Sequence, residues 1–141
     1  MTSTTDLAGT ASNRTGRFRR LAGTGLLATL VAVVVTTLAA ALARAAGVDF
    51  AIPDGGETIP LSGFAVLTGV FSLVGVVIAA ALLRWSAHPA RRFLWTSVTL
   101  TAISLVPPFL VGAAPTTALT LLALHLIPAA VMIPTLTRAL S

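Results

Sequence analysis

Four stretches of this chain, 21–43, 62–83, 93–111 and 115–136, run for 19 to 23 residues without one charged side chain. At about 1.5 Å of rise per residue, the longest reaches roughly 34 Å as a helix, enough to cross a hydrocarbon core of about 30 Å. Lipid offers no water to the backbone N–H and C=O groups, so a helix, which satisfies them internally, is the form such stretches can take. The expectation is an all-α membrane protein: a four-transmembrane-helix bundle over residues 21–140. Composition agrees, with 56% apolar and 9% charged residues, against roughly 25% charged in soluble domains.

Orientation follows from one segment. Arg84-Trp85-Ser86-Ala87-His88-Pro89-Ala90-Arg91-Arg92 is the only charged stretch between Glu57 and Arg138. Short arginine-rich loops resist translocation, so this loop is expected in the cytoplasm. Arg14, Arg17, Arg19 and Arg20 form a basic collar before the first span, and Arg138 follows the fourth. Eight of the nine arginines then share one side, and both termini are expected to be cytoplasmic, in a multi-pass plasma-membrane protein. The natural partners are anionic headgroups at Arg14, Arg17, Arg19, Arg20, Arg84, Arg91 and Arg92. Nucleic acid is not expected despite the net charge of +5, because no basic helix or aromatic–basic interleaving accompanies it. The absence of cysteine removes thiol and disulfide chemistry.

Residues 1–20 are rich in Thr, Ser, Gly and Ala and are expected to form a disordered basic tail. The first span could also be a secretory signal ending at Ala41-Leu42-Ala43. It is longer than the usual apolar region of about 7 to 15 residues, so retention as a helix is expected. Its small pairs Gly25/Thr29, Ala32/Thr36 and Ala39/Ala43 predict a close-packing stripe, and Ala65, Thr68, Ser72, Gly75 and Ala79 predict another on the second span. Between them, Gly47 to Pro60 reads as a solvated outer loop holding Asp49, Asp54 and Glu57, with Pro53 and Gly55-Gly56 as turn residues. The regular ligand spacing of an EF-hand calcium loop is missing. In the third span, Pro107-Pro108 predicts a kinked or loosened turn that leaves the carbonyls of Ile103 and Ser104 without their helical amides.

His125 lies ten residues after Pro115, near the middle of the fourth span. Ser72, Thr101 and Ser104 fall at the same depth, so these four are the candidate mid-membrane polar layer. An ionisable residue at this depth is a functional hypothesis by default. No carboxylate occurs within any span to relay protons, and a structural hydrogen-bonded layer is the expectation. Haem held by two histidines fails because His88 lies in the loop, and zinc fails for want of three ligands. No catalytic residue, cofactor or metal is assigned. A Ser104–His125 nucleophile–base pair lacks a nucleophile turn. Arg44 and Asp49 are the candidate outer-face contact, with Arg44 snorkelling to headgroups or pairing with Asp49.

The order Arg44…Asp49, Arg84-Trp85, Pro107-Pro108, and His125 with Pro128 and Pro134 resembles an actinobacterial family of small four-helix membrane proteins of unknown function. The resemblance covers about 21–140 and implies the helix count, not an activity. The expected function is that of a non-enzymatic accessory or envelope-associated membrane component, acting with a membrane-protein partner or as a homo-oligomer. The alternative is a small transporter or permeability protein using the layer around His125.

Overall fold

The computed structural model describes residues 4–51 and 57–141. It is all-helical: α1 Thr4–Ala45, α2 Leu61–Trp85, α3 Pro89–Ser104, a short α4 Pro107–Leu110, and α5 Pro115–Leu140. Four segments are long and apolar enough to cross a membrane: Leu7–Ala45, Leu61–Trp85, Pro89–Leu110 and Pro115–Leu140. The helices alternate in direction, with α1 flanked by α2 and α5, and α3 packed on α5 and α2. All the arginines except Arg44 therefore gather towards one end, here the basic end.

Proline sets three of the starts. Pro60 caps α2 in extended conformation, with φ −71° and ψ 155°. Pro89 and Pro115 occupy the first turns of α3 and α5, where the missing amide costs nothing. The residue before each of these two, His88 and Ala114, is held out of the helical region. At the other end of α1, Gly47 adopts φ 94°. Its amide donates to the Arg44 carbonyl at 3.0 Å, and the Val48 amide donates to the Ala43 carbonyl at 3.0 Å. This Schellman pair satisfies two carbonyls that a helix end would otherwise leave free.

Packing follows the small residues. On α1, Leu21, Gly25, Ala28, Thr29, Ala32, Thr36 and Ala40 are buried. On α2, Phe64, Thr68, Ser72 and Ala79 are buried, and Ala65 and Gly75 are half-buried. In lipid, where solvent does not drive helices together, such stripes let the backbones approach and gain dispersion contacts. Gly25 shows how close: a Cβ there would lie 2.7 Å from Val76 Cγ2. Two buried groups result. The inner one joins Leu21, Ala32, Ala79, Phe93, Leu136 and Leu140 near the basic end, and the outer one joins Ala40, Phe50, Phe64 and Leu124. Leu26, Leu30, Phe71, Val77 and Leu119 face outward, as lipid-facing side chains do.

Several expectations change. Residues 4–20, expected as a disordered tail, continue α1. Nucleation is the costly step of helix formation, and a long apolar helix already supplies it, so Ala, Leu and Arg can propagate it outward. The loop expected over Arg84–Arg92 shrinks to Ser86–His88, because α2 reaches Trp85 and α3 begins at Pro89. Arginines whose stems can snorkel leave the backbone free to stay helical. On the first span, the far-end stripe shifts by one residue: Ala40 is fully buried, while Ala39 and Ala43 are half-buried. The turn at the double proline forms as expected. α3 ends at Ser104, and the Ile103 carbonyl, deprived of a helical amide, accepts from Val106 N at 3.2 Å.

Candidate functional site

Three places carry the polar side chains of this bundle. At mid-depth, Ser72 is buried on the face of α2 that carries the small residues. Thr101 and Ser104 are half-buried on the one face of α3 that turns inward. The Ser104 hydroxyl donates to the carbonyl of Thr101 at 2.8 Å, one turn back on its own helix. His125 is exposed at the bundle surface. It shares a helical column with Ala118 and Met132, seven residues to either side and both buried. Among the described residues, no hydrogen bond joins any two of Ser72, Thr101, Ser104 and His125. Hydroxyls on membrane helices can satisfy themselves within one turn, as Thr29 does on Gly25 O at 2.8 Å and Thr135 on Val131 O at 2.6 Å. The same serine and threonine residues are thereby withdrawn from bonding across helices. The Thr36 hydroxyl differs: it is buried and has no partner among the described residues.

The far end holds a plug. Phe50 is 1% exposed and meets the Phe64 ring edge-on, with centroids 4.9 Å apart. The backbone around it is paired, with Ile59 N donating to Phe50 O at 3.1 Å and a bridge between Ala51 and Thr58. Two side chains staple it. Arg44 Nη2 donates to the Ile59 carbonyl at 2.6 Å while its guanidinium lies 6.0 Å from the Phe50 ring centre. Thr117 Oγ1, in the first turn of α5, donates to the Asp49 carbonyl at 2.7 Å. Val48, Phe50 and Ile59, within the segment expected to be a solvated loop, are thus seated on the bundle, because Phe50 brings more apolar surface than a loop can leave exposed. Arg44 and Asp49 do share a concavity of about 410 Å³, with Gly47, Val48, Phe50 and Thr58. Yet what each contributes to the staples is a guanidinium and a backbone carbonyl, with no ion pair between them. Asp54, Pro53 and Gly55-Gly56 lie outside the described residues.

Sequence reasoning missed Phe50 and Thr117. A signal existed for the first: Val48, Phe50 and Ile52 alternate as a strand does, opposite Thr58 and Ile59 across a glycine pair. Nothing local marks Thr117, whose partner is 68 residues away.

At the basic end, the Arg84 guanidinium lies over the Trp85 ring at 5.7 Å. Trp85 and Trp95 are both exposed, as indoles at a membrane interface are. A second concavity of about 420 Å³ is lined by Leu82, His88, Arg91, Arg92, Trp95 and Thr96. Among the described residues, no three of His, Cys, Asp or Glu come together as metal ligands.

Comparison with known proteins adds a family and no activity. No curated protein and no solved structure matches the chain. Residues 16–141 match the Family of unknown function (DUF6069), a region that takes in all of the bundle and the last turns of its basic extension. The chain belongs to that family of unknown function.

Proposed function

We propose that this protein is a non-enzymatic, multi-pass component of an actinobacterial plasma membrane, an accessory or envelope-associated protein with both termini in the cytoplasm. The observation that carries the reading is the dispersal of its reactive groups. His125, the one ionisable residue in the four charge-free stretches, stands exposed without a hydrogen-bond partner among the described residues. Ser104 is bonded to its own helix. Catalysis or proton transfer needs such groups to converge on a reacting atom. The buried positions are taken instead by small and aliphatic side chains, which hold helices together. An outward imidazole at mid-span is suited to a polar group on a neighbouring membrane protein or a second copy, in a bond worth about 0.6–2 kcal/mol. The cytoplasmic assignment is supported by the arginines, eight at one end against Arg44 at the other.

The test is co-purification from native membranes in mild detergent, comparing wild type with His125→Leu, alongside a liposome flux assay across a range of pH. The expected result is a retained partner or homo-oligomer that weakens in His125→Leu, with no flux from either form. A pH-dependent flux lost in His125→Leu, from a bundle of unchanged stability, would replace this reading with the transporter.

A further inference from the structure

The concavity at the basic end has a composition unlike the rest of the surface. Arg91, Arg92, Trp95 and Thr96 lie in the first two turns of α3, and His88 caps that helix just before Pro89. Leu82 of α2 closes the other side. Arg91 and Arg92 project from the start of α3, where the helix dipole is positive and disfavours cations. Among the described residues, no ion pair joins either of them to a carboxylate. An anion at this end would offset both the positive charge of the two guanidinium groups and the positive end of the helix.

We infer that this concavity binds the phosphate of one anionic glycerophospholipid. Arg91 and Arg92 supply paired N–H donors to phosphate oxygens, and guanidinium is the side chain best matched to that geometry. Thr96 and His88 add donors at the rim of the same concavity. A lipid is favoured over free phosphate by what bounds the site. Leu82 and the Trp95 indole give it an apolar wall, and the exposed Leu94 and Val98 carry apolar surface on towards mid-span. A headgroup in the concavity would leave its acyl chains on lipid-facing helix surface. This site rests on the membrane-embedded reading and is independent of any accessory role.

The experiment places the full chain in nanodiscs of phosphatidylcholine alone or of phosphatidylcholine with phosphatidylglycerol, then extracts it gently and counts the lipids retained by native mass spectrometry. Wild type should keep one phosphatidylglycerol in preference to phosphatidylcholine. Arg91→Gln with Arg92→Gln should reduce that retention about tenfold or more, with thermal stability checking that the bundle stays folded. Arg14→Gln with Arg17→Gln removes the same charge from the α1 extension and should leave retention unchanged. Inorganic phosphate at millimolar concentration should not displace the lipid. Equal loss in both double variants would mean a general surface potential and overturn the site, as would displacement by phosphate or equal retention of both lipids. Failure to enter either disc would overturn the membrane reading and the site with it.

Discussion

Gly25→Ala places a methyl group where α1 meets α2. The new Cβ would lie 2.7 Å from Val76 Cγ2, 3.0 Å from Val76 Cγ1 and 3.4 Å from Leu136 Cδ2, whereas carbon atoms settle at about 3.5–4.0 Å. Val76 cannot turn away cheaply, because a β-branched side chain in a helix has essentially one rotamer. The helices must separate or the valine must strain, at about 1–3 kcal/mol for overpacking. Alanine returns about 1 kcal/mol through its helix propensity over glycine. The net expectation is a destabilisation of about 1 kcal/mol, rising with the larger Gly25→Val. Val76→Ala removes both clashing atoms, so in that background Gly25→Ala should be neutral or stabilising. The assay is reversible unfolding in mixed micelles for wild type, the two single variants and the double variant. The cycle should give a coupling of about 1–3 kcal/mol. A coupling below about 0.3 kcal/mol would refute the contact as the reason for glycine at this position.

Phe50→Ala should cost about 3–5 kcal/mol in the same assay and raise hydrogen exchange at Ile59 and Thr58, whereas full retention of stability would show that the far-end plug does not seat. Thr36→Val should be neutral or slightly stabilising, because a buried hydroxyl without a partner is replaced by a methyl of the same shape; a loss above about 1 kcal/mol would mean that the hydroxyl is bonded. His125→Leu should leave the stability of the isolated monomer unchanged, since no hydrogen bond within the bundle is lost, and a loss of about 1–2 kcal/mol would restore a bonded mid-membrane layer.

The parts of this fold legible in sequence were those written in local spacing. Charge-free length gave the helices, and small residues every three or four positions gave the buried faces of α1 and α2 from Gly25 through Thr36 and from Ala65 through Ala79. That reading slipped at Ala39, Ala40 and Ala43, where nearly every neighbour is alanine or leucine and no contrast marks which side packs. The seated loop was not legible in its contacts. Its staples run from Arg44 to Ile59 and from Thr117 to Asp49, and depend on helices that chain order does not place side by side. For His125 the spacing from Pro115 predicted a depth and a packing face, and the structure places the side chain at the bundle surface. Exposure at one position of a column depends on what the neighbouring helix sets opposite it, and spacing along a single helix carries no such information. The hydroxyls of the expected layer were misjudged for a simpler reason. A serine or threonine in a helix can bond a carbonyl of its own helix, and Ser104 does so.

The proposed topology is a four-span bundle with its arginine-rich end inside the cell. Because the chain has no cysteine, single cysteines introduced at Thr10, Glu57, Ser86 and Ser141 report sidedness without a background. Intact cells are treated with a membrane-impermeant thiol reagent, before and after permeabilisation. Labelling is expected at Glu57 in intact cells, and at Thr10, Ser86 and Ser141 only once the membrane is opened. Labelling of Ser86→Cys from outside intact cells would contradict it.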